Sequence, residues 1–124
     1  MIRVAVDAMG GDYAPGEIVK GAVQAAEQRK DIQIVLIGQE EVVREELKKY
    51  SFQEGQITVQ NATEVIATEE PPVNAIRKKK DSSLVVGMNM VKRGEADAIV
   101  SAGSSGAILV GGQVIVGRIK GVER

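Results

Sequence analysis

The feature that most constrains this chain is the way four short runs rich in Val, Ile and Ala each stop at a turn and give way to helical spacing. Residues 3–6 read as a strand, and Asp7-Ala8-Met9-Gly10-Gly11-Asp12-Tyr13-Ala14-Pro15 follows as a glycine-punctuated loop. From Glu17 the apolar positions Ile18, Ala22, Val23, Ala25 and Ala26 recur at helical spacing. A second strand is expected over 32–37, ended by Gly38, then a charged helix over 40–50 with Val43 and Leu47 on one face and Glu45 and Lys49 as an i,i+4 pair. A third strand is expected over 57–60, and 61–72 lacks a clean period and reads as a loop. Short β-branched runs suit strands buried on both faces, and strands alternating with helices imply a parallel sheet with right-handed crossovers. The fold class expected is therefore α/β.

The second half repeats the alternation. A short helix is expected over 73–80 behind the proline pair, and Ser82 or Ser83 can cap the next one. That helix carries Leu84, Val85, Met88 and Val91 on one side, with Lys92 and Arg93 in its last turn and Gly94 beyond. Residues 98–100 make a fourth strand that runs into Ser101-Ala102-Gly103-Ser104-Ser105-Gly106 and an apolar helix from Ala107. Nothing divides the chain, so residues 1–124 are expected to form a single α/β unit.

Composition removes whole classes of chemistry. With no His and no Cys, zinc sites of the Cys/His kind, disulfides, Ser-His-Asp and Cys-His nucleophiles and imidazole bases are all excluded. No metal and no cofactor is expected. Seventeen Asp+Glu against 16 Lys+Arg argue against a nucleic-acid binder, which carries a basic excess to displace counterions. The longest nearly apolar stretch, 107–116, falls short of the roughly 18 residues a membrane span needs. Met1 leads straight into a strand pattern, so a secretory leader is not expected and the cytoplasm is the expected compartment, with association at the membrane surface left open for a longer protein.

Three segments are candidates for chemistry. The 101–106 loop joins a strand to a helix, where glycines let an anion approach backbone N–H groups and Ser101, Ser104 and Ser105 add hydroxyls; the competing reading is a plain turn capped by Ser104 or Ser105. Asp7, Gly10, Gly11 and Asp12 follow the first strand, so both loops lie at strand carboxyl ends, where ligands of open parallel sheets bind. Either Asp can orient a substrate or accept a proton, and Asp12 can equally cap the helix that follows. In the run Arg77-Lys78-Lys79-Lys80, Lys78 reads as solvated surface, whereas Arg77 and Lys80 are three apart and able to project together onto an anion or an acidic partner. Neither G-x-G-x-x-G nor G-x-x-x-x-G-K-[ST] occurs, which disfavours a Rossmann-like oxidoreductase and a nucleotide-binding Walker loop.

Taken together, residues 5–12, the segment 77–83, Ser101-Ala-Gly-x-x-Gly-Ala107 and the 117–124 run Gly-Arg-Ile-Lys-Gly-Val-Glu-Arg resemble the PlsX-type phosphate acyltransferases of bacteria. The resemblance covers the whole chain and corresponds to the amino-terminal portion of a longer acyltransferase. It implies a parallel-sheet three-layer sandwich like isocitrate dehydrogenase and phosphotransacetylase, of which this chain is the amino-terminal part only. It also implies transfer of a fatty acyl group from acyl carrier protein to inorganic phosphate, giving acyl phosphate for phospholipid synthesis, by a homodimer. The family usually has Asn-Thr where this chain has Ser104-Ser105. The resemblance implicates Asp7, Gly10, Gly11, Asp12, Arg77, Lys80, Ser82, Ser83, Ser101, Gly103, Ser105 and Gly106 as the site-lining set, without roles for each. The residue chemistry adds the roles expected here: Asp7 and Asp12 as orienting groups and Arg77 and Lys80 as charge neutralisers form the catalytic set, and Gly10, Gly11, Ser82, Ser83, Ser101, Gly103, Ser104, Ser105 and Gly106 bind phosphate or substrate. The non-catalytic alternative is a folded, inactive or dimerising module, and the isolated chain is expected to be inactive.

Overall fold

In a computed structural model, which describes residues 1–117 and 121, four parallel strands stand in the order β3-β2-β1-β4. The strands are β1 (Ile2–Asp7), β2 (Ile32–Gly38), β3 (Ile57–Asn61) and β4 (Ala98–Val100). The helices are α1 (Gly16–Gln28), α2 (Glu40–Leu47), α3 (Pro72–Lys78), α4 (Ser83–Lys92) and α5 (Ser105–Gly111), the last continuing as π-helix over Gly112–Val116. In-register pairs run from Ile2 opposite Ile32 to Asp7 opposite Ile37, and from Val4 opposite Ala98 to Val6 opposite Val100.

Alternation along the strands sends side chains to two opposite layers, as period 2 requires. On one face Ile34, Leu36 and Ile57 pack with Val19, Ala22, Val23 and Ala26 of α1 and Val43 and Leu47 of α2. On the other face Ala5, Val35 and Ile37 meet Met90, and a further cluster joins Leu84, Val85 and Met88 of α4 to Ile76 of α3 and Ala107 of α5. The result is the expected three-layer parallel α/β arrangement. Val4, Val6, Ile18, Ala22, Ile34 and Val100 line an apolar groove on the α1 side, where no helix among the described residues covers β4 and Val100 is 55% exposed.

Several local expectations shift. Helix α2 stops at Leu47, not Tyr50, and its last lysines turn back by three residues: Lys48 pairs with Glu45 and Lys49 with Glu46, so the anticipated Glu45–Lys49 pair does not form. The i,i+4 pair of this helix is Glu40 with Arg44 at 2.9 Å. The 61–72 segment is irregular but anchored. Thr63 donates through its amide and its hydroxyl to Asp81 Oδ2, Glu64 bridges to Ser82, and Ala62 and Ile66 are buried.

Helix α3 ends at Lys78, before Lys80. Lys79 leaves the helix at φ −94° and ψ 66°, its ammonium drawn to Glu70 and to the Val65 carbonyl at 2.8 Å. Helical spacing therefore no longer brings Arg77 and Lys80 onto one face. No helix among the described residues is long and apolar enough to cross a membrane.

Candidate functional site

The sheet order itself picks out a place. From β1 the chain moves outward to β2 and β3, then returns to lay β4 on the opposite side of β1. The carboxyl ends of β1 and β4 thus flank the point where the direction of winding reverses, which is where open α/β sheets bind ligands. Asp7 is the last residue of β1, and Ser101 directly follows β4.

Asp7 is 4% exposed, and a buried carboxylate is tolerated only when donors surround it. Three arrive from three segments. Ser83, the first residue of α4, donates its hydroxyl to Oδ1 at 2.5 Å, the Met9 amide donates to the same oxygen at 3.1 Å, and Ser101 donates its hydroxyl to Oδ2 at 2.8 Å. Ser101 Oγ in turn accepts the Gly103 amide at 3.1 Å, which folds the 101–106 loop back on itself. Ser83 and Ser101 are 76 and 94 residues from Asp7 in the sequence, so this carboxylate ties together the start of α4, the loop after β4 and the first loop.

The glycines belong to the same junction. A Cβ built on Gly10 would lie 2.6 Å from Asp7 Oδ2 and 3.0 Å from the Gly103 amide nitrogen. One built on Gly103 would lie 3.4 Å from Gly10 Cα and 3.7 Å from Asp7 Oδ2. The two loops therefore touch backbone to backbone over the carboxylate. Gly11 has φ +104°, which only glycine adopts without strain, and its missing side chain would face Ala102. At Gly106 a Cβ would reach 2.6 Å from Pro72 Cγ, so this glycine seats the start of α5 against the start of α3.

The serines divide between caps and clamps. Ser82 is fully buried and caps α4, accepting the Val85 amide at 3.2 Å. Ser104, 6% exposed, caps α5 by accepting the Ala107 amide at 3.2 Å, which settles the alternative between Ser104 and Ser105. Asn and Ser are about equally good N-caps, so either residue would serve at this position. Ser105 is exposed in the first turn. Asp12 is exposed and caps nothing, since α1 starts behind Pro15 without a side-chain cap. Arg77 and Lys80 are both exposed, on α3 and after it, and neither belongs to the Asp7 junction.

Two polar anchors went unread in the sequence. Lys79 is the half-buried member of its basic run, 31% exposed and ion-paired, and its contact with Glu70 holds that carboxyl below the usual range, helped by the Ala67 amide. Gln56, 5% exposed, donates through Nε2 to the carbonyls of Ala26, Arg29 and Ile32, binding the end of α1 to the entry of β3. A buried Lys or Gln leaves no periodic trace, because its cause is a set of distant carbonyls. The 117–124 motif falls mostly outside the described residues, which include only Gly117 and Gly121 of it.

Similarity to known proteins follows the same lines. Over 123 residues the chain is 54% identical to the phosphate acyltransferase of Syntrophomonas wolfei and 50% identical to that of Clostridium tetani, in each case covering 99% of this chain. It spans 38% and 37% of the length of these two curated relatives. Its fold is similar to that of a phosphotransacetylase from Streptococcus pyogenes, with a TM-score of 0.68 at 21% identity over 99% of this chain and 40% of that one. The model of the family described as fatty acid synthesis protein matches residues 2–124, and the chain belongs to that family.

Proposed function

We propose that the protein to which this chain contributes transfers a fatty acyl group from acyl carrier protein to inorganic phosphate, supplying acyl phosphate for phospholipid synthesis. The observation that carries the reading is the roughly half-identical match, along almost the whole chain, to proteins named phosphate acyltransferase. In this reading residues 1–124 are the amino-terminal α/β portion of a longer homodimer. Most of the acyl pocket is supplied by the rest of the polypeptide or by a second subunit, and the isolated chain is inactive. The protein works in the cytoplasm with association at the membrane surface, and uses neither metal nor cofactor.

The chemistry asks for little from side chains. A phosphate oxygen attacks the thioester carbonyl, the new C–O bond forms, the C–S bond breaks, and the proton of hydrogen phosphate ends on the carrier thiol. Phosphate is already a nucleophile and the thioester is already activated, so the protein's task is alignment and stabilisation of the developing oxyanion. The 101–106 loop and the first turn of α5 supply backbone N–H groups, with the exposed Ser105 hydroxyl beside them. Arg77 and Lys80 are solvent-facing cations for an anionic substrate or for the acidic carrier. Asp12, exposed beyond the glycine pair, is free to orient substrate.

The test is phosphate-dependent release of free carrier from acyl-loaded carrier by the full-length protein, with acyl phosphate trapped by hydroxylamine. Release at the same rate without phosphate would mark a thioesterase and end the reading.

A further inference from the structure

We propose that Asp7 is a positioning residue that sets the backbone of the 101–106 loop through Ser101, and that neither Ser101 nor Ser83 donates to the bound phosphate. The inference rests on the acyl-transfer reading for the identity of the anion, and on the clamp geometry for everything else.

Each hydroxyl has one proton to give. Those of Ser83 and Ser101 go to Asp7, at 2.5 and 2.8 Å. Ser101 Oγ also accepts the Gly103 amide, so its direction is set from both sides. The carboxylate itself is closed off. Oδ1 receives Ser83 and the Met9 amide, while Oδ2 lies under Gly10, where even a Cβ would approach to 2.6 Å. Asp7 is 4% exposed and both of its oxygens already hold protein donors, so it is not placed to exchange a proton with substrate. An unscreened carboxylate beside a phosphate site would also repel the anion. Here its charge is taken up by donors on the protein side, which leaves the remaining amides of the 101–106 loop to face the ligand.

The consequence is a linkage between α4 and the 101–106 loop that runs through one side chain. Asp7→Asn keeps the shape and keeps an acceptor for Ser83 and Met9. It turns an NH2 group toward Ser101, whose hydroxyl then accepts from it, loses the acceptor for its own proton and with it the direction that holds the Gly103 amide.

The experiment measures Asp7→Asn, Ser101→Ala and Ser83→Ala in the full-length protein. For Asp7→Asn and for Ser101→Ala, the phosphate KM should rise about tenfold or more, as loss of a charge-assisted hydrogen bond implies, with the acyl-carrier KM within about twofold. The limbs of the kcat–pH profile should stay where they are. The double variant Asp7→Asn/Ser101→Ala should be no worse than the poorer single one, because both cut the same arm. Amide hydrogen exchange at Gly103 should quicken in both, a readout that needs no turnover.

An unchanged phosphate KM with unchanged Gly103 exchange overturns the proposal, as does loss of a pH limb in Asp7→Asn, which would make the carboxylate a proton-transfer group. If Asp7→Asn fails to fold, the serine variants decide: wild-type phosphate KM and Gly103 exchange in Ser101→Ala refute the proposal on their own. Phosphate-independent release by the parent would instead strike the acyl-transfer reading, and Gly103 exchange would still judge the clamp.

Discussion

Gly10 and Gly21 should respond to alanine with opposite signs, because one faces a crowded carboxylate and the other faces open space. At Gly10 the new Cβ would stand 2.6 Å from Asp7 Oδ2, and ordinary contact at 3.4 Å requires a retreat of about 0.8 Å. The carboxylate has nowhere to retreat without lengthening its bonds to Ser101 or to Ser83 and Met9. Losing one hydrogen bond to a charged group costs about 1.5–3 kcal/mol, and the reduced freedom of the unfolded chain returns about 0.4–1 kcal/mol. Gly10→Ala should therefore destabilise by about 1–2 kcal/mol. Gly21 lies exposed inside α1 with nothing within 4 Å of its Cβ position, so Gly21→Ala should stabilise by up to about 1 kcal/mol through helix propensity. At roughly 4 °C per kcal/mol for a unit of this size, thermal melts followed by far-UV circular dichroism should place the two variants about 4–12 °C apart. Equal melting temperatures, or a Gly10→Ala variant as stable as the parent, would refute the close approach of the two loops over Asp7.

Ser104→Ala should lose about 1 kcal/mol in denaturant unfolding, whereas Ser105→Ala should be nearly neutral, because the buried Ser104 holds the α5 cap; the reverse order would reassign the cap. Lys79→Met should destabilise the chain while Lys78→Ala leaves its midpoint unchanged, since Lys79 alone of the two is tied to Glu70 and the Val65 carbonyl. The Thr63 hydroxyl and amide hold the Asp81 carboxyl below its ordinary range, so its contribution is present above the unfolded-state value and is lost as pH falls through the lowered folded value. Thr63→Val should accordingly flatten the loss of stability in acid titrations below about pH 4, and an unchanged acid limb would show that this pair does not couple to folding.

The architecture was legible because it rests on local, repeated signals. Apolar runs such as 32–37, and the helical spacing of Ala22, Val23 and Ala26, each report a face that must be buried, and neighbouring residues carry the whole message. Boundaries moved where side chains competed with the helix. Lys79 left α3 for Glu70, and Lys48 and Lys49 reached back three residues instead of four. The site was legible as a list of segments and illegible as a set of roles. Asp7, Ser83, Ser101 and the glycines are all recognisable as site candidates, yet the direction of each hydroxyl depends on partners 76 and 94 residues away.

One physical signal in the sequence did carry part of that information. Asp7 ends a strand whose preceding residues are apolar on both faces, so a carboxylate there must be buried, and a buried carboxylate must collect donors or lose its charge. With no His in the chain, and with Arg77, Lys78 and Lys80 exposed and Lys79 already paired, serine hydroxyls and backbone amides are what the junction uses. The glycines follow from the same need. Donors from two loops reach one carboxylate only if those loops approach backbone to backbone, and at Gly10 a single methyl group already lies within 2.6 Å of the oxygen to be shared. A glycine in these loops is thus required by the contact between them, whatever the ligand. Substituting Gly10 or Gly103 therefore disturbs the junction along with any phosphate it holds, whereas Ser105, exposed and outside the cap, reports on the ligand with the fold left intact.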